Sequence, residues 1–294
     1  MIVDRTIFSI FRQGSRTYFY SSLFFPTHIR RNVFILYAFV RKADNFVDHI
    51  PQDQDGFYQF KDQFEQGWKR EETGDVVVDS FVILAKEHGF KKEWIDSFLK
   101  SMEMDLSYKN YETIDDTLEY IYGSAEVIGL FMAKLLNLPE RSYDHAKFLG
   151  RSMQYINFIR DINEDNKLNR LYFPKEYLDR FHLDNLTYEY VKEHQQSYID
   201  FINEQLDRYC GWQEWAEIGY NYIPKRYLIP IKTASEMYKW TARKIHENPF
   251  IIYQLKVKPM ISKIMLNTLF NMVDYISKKD QEIECKGRHR SLHS

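Results

Sequence analysis

The stretch FVRKADNFVDHIP, residues 39–51, follows the apolar run NVFILYAF and decides how this chain is read. Apolar residues recur there at helical spacing, so one helix is predicted from Pro26, a good first-turn residue, to about Ile50. On that helix Asp44 and Asp48 share a face, about one turn or roughly 6 Å apart. Carboxylates on an inward-facing stripe are costly unless something positive meets them. Arg41 and Lys42 lie just upstream, yet the pair alone says little, because acidic pairs at this spacing are common on solvated faces.

A second stretch repeats the pattern over a hundred residues later. QYINFIRDINEDNKLNRLYFP, 154–174, carries Asp161 and Asp165 with Glu164 between them and Arg160 just before. It too ends an apolar helix, AKFLGRSMQYINFI, and Gln154 and Asn157 fall on the same face. If the two helices faced each other, four carboxylates would crowd one cavity, and like charges repel unless cations separate them. Mg²⁺ suits such a place, being hard and bound through a few carboxylates plus substrate phosphates, with arginines completing the balance.

The rest of the chain narrows the setting. It has 294 residues, with no repeat and no Gly-, Ser- or Pro-rich linker, so one all-α helical bundle is expected. Gly and Pro total only 11 and 8, and strict alternation of apolar and polar residues is rare. Further helices are predicted over about 3–13, 55–71, 75–88, 91–107, 117–137, 142–166, a short one from Pro174, and 187–209, 212–221, 225–247 and 258–278. Asp115 or Asp116 is the expected cap of the 117–137 helix. The tail, 279–294, is polar and basic and is expected to be disordered. A net charge of −2 gives no footprint for nucleic acid. Cys210 and Cys285 cannot form a zinc cluster by themselves, and the histidines show no ligand spacing. The longest clean apolar run, VFILYAFV, is far short of the roughly 20 residues that span a bilayer, and no signal peptide is visible. A cytoplasmic protein, at most peripheral to a membrane, is expected.

With both acid clusters in view, the chain resembles the squalene/phytoene synthase family, the head-to-head trans-isoprenyl diphosphate synthases, and most of all its phytoene synthases. GSRTYFYSSLFFP at 14–26 resembles the family's Ser-rich segment and LYAFVRKADNFVD its first Asp motif. YIYGSAEVIG at 120–129 resembles the Tyr-containing helix motif that usually ends Val-Ala-Gly-x-Val-Gly. QYINFIRDINED is similar to the second Asp motif, and NRLYFP follows where the family has Gly-Arg-(Ile/Leu)-Tyr-(Leu/Phe)-Pro. Order and spacing agree over about residues 10–275. Three positions depart: Glu126 for the usual Gly, Ser124 for Val, and Asn45 for a frequent acid.

The resemblance implies an isoprenoid synthase domain over 1–278 with a deep central cavity. It implies that Asp44, Asp48, Asp161 and Asp165 hold Mg²⁺ and diphosphate. Ser15, Thr17, Arg41 and Arg160 become diphosphate contacts, and Gln154 and Asn157 a polar wall. Tyr122, Tyr172 and Tyr238 fall near positions that meet diphosphate or cationic intermediates. Lys256 and Lys258 are further diphosphate candidates, or simply an exposed basic face. Rings such as Phe19, Phe34, Tyr37, Phe131 or Phe158 could stabilise a carbocation without reacting, although aromatic stripes at this spacing are usually core. The implied reaction joins two prenyl diphosphates through a cyclopropylcarbinyl diphosphate. Proton loss then gives phytoene or dehydrosqualene, and NADPH enters only if squalene is the product. The other readings are a head-to-tail synthase, whose DDxxD does not fit DNFVD, a class I terpene cyclase on the same fold, and a non-catalytic helical interaction subunit.

Overall fold

The structure, a computed structural model, describes residues 4–69, 72–107 and 110–290, with side chains as far as Tyr275. Its helices in chain order are α1 (Arg5–Gly14), α2 (Arg16–Ser22), α3 (Thr27–Asp48), α4 (Gln54–Trp68), α5 (Val76–Glu87), α6 (Lys92–Leu106) and α7 (Ile114–Ile121). A π-helical turn, Tyr122–Glu126, leads into α8 (Val127–Leu135). Then come α9 (Tyr143–Lys167), α10 (Lys175–Arg180), α11 (Tyr188–Val191), α12 (Gln195–Ile218), α13 (Lys225–Glu247), α14 (Ile251–Gln254) and α15 (Ile261–Arg290). No strand occurs among the described residues, so the all-α expectation holds. The expected polar tail, 279–294, falls outside the residues with described side chains.

Local chemistry explains most boundaries. Asp4, Ser15, Asp53 and Asp75 each cap a helix with a side-chain oxygen that accepts a backbone N–H. Pro26 is the cap residue of α3, one place earlier than a first-turn role. The helix expected from 117 starts at Ile114 instead. Its cap is Thr113, which exchanges hydrogen bonds with Asp116 in a capping box. That same helix, expected to run unbroken to 137, is interrupted by the π-helical turn. The break expected near Gly211 is absent, and α12 is continuous.

The buried side chains form two clusters. One joins α1–α6 with α8 and is dense in rings, including Phe11, Phe39, Phe64, Phe81 and Phe131. The other joins α7 and α9–α14 around Tyr155, Phe158, Phe173, Tyr198 and Phe201. Between residues of both clusters lies a cavity of about 690 Å³.

Candidate active site

The acid-bearing stripes of α3 and α9 face the cavity and not a closed core, which accounts for carboxylates on an inward-facing helical face. From α3 the lining residues are Val33, Leu36, Tyr37, Val40, Arg41, Asp44 and Asp48, one helical face read at steps of three and four. From α9 they run from Ala146, Leu149, Gly150 and Met153 to Gln154, Asn157, Asp161, Glu164 and Asp165. Both helices are apolar towards their N-terminal ends and acidic at their C-terminal ends. Ala146 and Asp161 are fifteen positions apart, so the cavity follows α9 for about 22 Å. The four acids predicted from the sequence thus line one cavity, together with Glu164 of α9 and Asp105 of α6.

The cations meet these acids unequally. Arg41 stands 3.8 Å from Asp44 and 3.9 Å from Asp48. Arg160 binds both oxygens of Asp161, at 2.9 and 2.5 Å. Lys256 lies 3.4 Å from Asp161 and 3.3 Å from Glu164. Burial pushes Asp44 up to about 7, helped by the charge of Asp48 and opposed by Arg41. Burial and the neighbouring Asp161 raise Asp165 well above the usual carboxylate range. Asp161 goes the other way: burial opposes ionisation, but Arg160 and Lys256 outweigh it.

These donors fit a hard cation shared with a diphosphate. The acid end offers oxygen ligands, and two of its buried acceptors, Glu164 Oε2 and Asn157 Oδ1, have no hydrogen-bond partner. Among the described residues no three acids converge tightly enough to enclose an ion alone. That suits Mg²⁺, which is typically bound by one or two carboxylates plus substrate phosphates and water.

A group that sequence reasoning passed over sits beside the first acid pair. Asp105 accepts hydrogen bonds from Tyr120 Oη at 2.7 Å and Tyr172 Oη at 2.8 Å. Arg170, almost fully buried, donates to Asp48 at 2.9 Å and to the carbonyls of Val47 and Asp105 at 2.6 and 3.3 Å. Burial raises Asp105 to about 6, although Arg170 and both tyrosines oppose it. Tyr172 lines the cavity as expected, whereas Tyr122 does not: it is 36% exposed. Two residues along a helix is about 200° around it, so Tyr120 and Tyr122 cannot both face inward. Tyr120 takes the cavity position.

The π-helical turn after Tyr120 is clamped on two sides. A Cβ on Gly123 would meet Ser97 O and Ser101 Oγ at 2.1 Å, and one on Gly150 would meet Ala125 O at 2.2 Å. Glu126 is buried and accepts from Arg151 Nε at 2.7 Å, while Arg151 stacks on Phe148 and Trp212. Glu126 is therefore part of the clamp and does not line the cavity. Its neighbours Ser124 and Ala125 do line it.

Other expected residues are gathered at the same place. Ser15, Thr17, Gln154, Asn157, Arg160, Tyr238, Lys256 and Lys258 all line the cavity. Ser15 also caps α2 through its hydroxyl. Tyr18, not expected, packs on Tyr238 with ring centroids 5.8 Å apart. Of the candidate rings, Tyr37 and Phe158 line the cavity, and Phe158 stacks on Tyr172 at 4.3 Å. Phe19, Phe34 and Phe131 are core. Their packing against other rings satisfies them without a ligand.

The family model for squalene/phytoene synthase matches residues 11–263. The chain belongs to the squalene/phytoene synthase family. It is similar to the 15-cis-phytoene synthase of Pantoea ananas, 25% identical over 246 residues that cover 80% of this chain and 79% of that one. It is also similar to the 4,4'-diapophytoene synthase of Staphylococcus haemolyticus, 25% identical over 197 residues, 62% and 69% of the two chains. A crystal structure of a dehydrosqualene synthase superposes with a TM-score of 0.81, covering 92% of this chain and 95% of that one at 20% identity, and so shares the fold. The expected fold and the prenyltransferase class, of the phytoene/squalene synthase type, therefore stand.

Proposed function

We propose that this chain joins two C20 prenyl diphosphates head to head, in the presence of Mg²⁺, and releases phytoene without using NADPH. The observation that carries this reading is the gathering of both acid pairs at one end of a long cavity whose remainder is mostly apolar. Such a cavity suits two diphosphate heads side by side with their prenyl tails laid along α9. The favoured C20 substrate and phytoene rest on the relatives, several of which are named phytoene synthases. Small residues on the apolar walls, among them Ser22, Gly129, Ala133, Ala146 and Gly219, are consistent with long tails.

When bound, Mg²⁺ would draw charge from the leaving diphosphate. Asp44, Asp48, Asp161 and Asp165 would hold it. Arg41, Arg160, Lys256 and Lys258 would meet the diphosphate oxygens. The first allylic cation is attacked by the C2–C3 double bond of the second prenyl chain, and a proton leaves as the cyclopropane closes. A second diphosphate departs, the skeleton rearranges to the 1-1' link, and a last proton is lost. Tyr37 and Phe158 would face the cation with ring faces that cannot add to it. Tyr120 Oη, its hydrogen committed to Asp105, would offer a lone pair to a departing proton, while its own proton passes to Asp105.

Two tests follow from this assignment. Tyr120→Phe lowers turnover by about tenfold or more, while Tyr122→Phe stays near the parent rate, in a steady-state diphosphate-release assay. A collapse confined to Tyr122→Phe would reverse the assignment. Product analysis with C20 diphosphate and Mg²⁺ yields phytoene at the same rate with and without NADPH. A C30 product from C15 diphosphate, with no turnover of the C20 substrate, would overturn the proposed chain length.

A further inference from the structure

Exposed large apolar side chains are not spread evenly over this molecule. Leu266, Leu269, Phe270 and Val273 of α15 are each between 54% and 63% exposed, and Met260, just before the helix, is 71% exposed. Spaced at three and four, the four helical residues make one stripe about 100° wide. A contiguous patch of this kind on a soluble surface marks an interaction site more often than chance exposure does.

The opposite face of α15 is firmly seated. Ile264 and Thr268 are buried, and Asn271 Nδ2 donates to Thr233 Oγ1 at 3.2 Å and Glu236 Oε2 at 3.0 Å. Lys263 lies over the Trp240 ring at 5.4 Å. These partners belong to α13, whose other side lines the cavity through Ala234, Met237, Tyr238 and Thr241. The stripe also begins at the cavity's lip, because Lys256, Lys258 and Pro259 line the cavity and Met260 comes next in the chain.

We propose that the outer face of α15 docks on an anionic lipid bilayer, placing the cavity's lip at the membrane surface. Resting on the reading above that the substrates carry prenyl tails, this names where such tails would pass from membrane to site. Three observations favour a bilayer over a second copy of the chain. The stripe is continuous with the lip of a cavity suited to prenyl chains. Its helix is amphipathic, which lets it lie in the interface with its apolar face sunk about 5–10 Å. The sequence after Val273 is slightly basic in balance, with Lys278, Lys279, Lys286, Arg288 and Arg290 against Asp274, Asp280, Glu282 and Glu284, which suits anionic headgroups.

The test uses the full chain and substrate-free vesicles of phosphatidylcholine, with or without phosphatidylglycerol. The parent protein sediments with vesicles, more strongly when phosphatidylglycerol is present. The double variant Leu269→Glu, Phe270→Glu binds about tenfold more weakly or worse, keeps its melting temperature, and turns over detergent-dispersed prenyl diphosphate at the parent rate. A parent protein that stays in the supernatant overturns the proposal, as does a variant that binds equally well. A dimer by light scattering that the variant breaks, with no vesicle binding, would assign the face to a second copy instead. Because the vesicles hold no substrate, a protein that binds them yet makes no hydrocarbon supports the docking face and contradicts only the reaction.

Discussion

Asp44→Asn is expected to cut turnover by about 10³-fold or more and yet to raise the melting temperature of the metal-free protein at pH 8. The first effect follows from removing a charged ligand for the diphosphate-bound cation. The second follows from the acid's own environment. Burial and the charge of Asp48 raise Asp44 to about 7, above the ordinary carboxylate value of 3.8. A carboxyl whose folded pKa is raised adds stability at low pH, and that stability is lost as pH rises through the folded value. At pH 8 the parent carries this buried negative charge, whereas the asparagine does not. The side chain keeps 31% of its surface open to the cavity, so solvent screens much of the cost. A gain of about 1 kcal/mol remains, or roughly 2–4 °C in melting temperature. At pH 5 the folded carboxyl is protonated while the unfolded one, at 3.8, is already ionised, so the difference is smaller than at pH 8 and vanishes only below the unfolded value. Paired melting curves at the two pH values, run beside the assay, check both halves; a variant of near-parent rate would remove Asp44 from the site.

The second large effect concerns Arg170. Its guanidinium is almost fully buried and is shared among Asp48, the Val47 and Asp105 carbonyls, and the environment of Asp105. Arg170→Leu leaves the buried Asp105 without its nearest compensating cation, a loss of about 3–5 kcal/mol. The pH dependence has a definite sign. Burial already raises Asp105 to about 6 with Arg170 present, and removing Arg170 raises it further. The folded variant then holds a proton over a wider range than the unfolded chain, so its stability falls as pH rises. Urea unfolding should therefore show the deficit largest near pH 8 and much reduced near pH 5, where Asp105 is neutral in both proteins. A deficit independent of pH would mean that Arg170 acts through packing and backbone hydrogen bonds alone.

Much of this site was legible in the sequence because it is local. Helical spacing put Asp44 with Asp48 and Asp161 with Asp165 on single faces, and the apolar residues before each pair located the walls of the cavity. What escaped was long-range or depended on register. Asp105 meets Tyr172 across 67 positions, and Arg170 meets Asp48 across 122, separations that periodicity cannot read. Arg170 stood inside a recognised motif, but its burial among carboxylates is a tertiary fact. Tyr122 was expected at the site and Tyr120 was not, because spacing alone does not fix the inward side of that helix. The π-helical turn that follows, held by the close approaches at Gly123 and Gly150, leaves no simple trace in composition. The short helix α2 escaped because RTYFYSS is rich in residues that lose side-chain freedom in a helix, and its cap, Ser15, was read only as a ligand contact.

In the proposed reaction both acid pairs serve one condensation of two prenyl diphosphates in one cavity. The most direct measurement is the ratio of diphosphate released to hydrocarbon formed, with C20 diphosphate and Mg²⁺ and no nucleotide. Two diphosphates are expected for each C40 hydrocarbon. One diphosphate for each C20 hydrocarbon, the signature of a single substrate ionised and cyclised alone, would contradict that reaction.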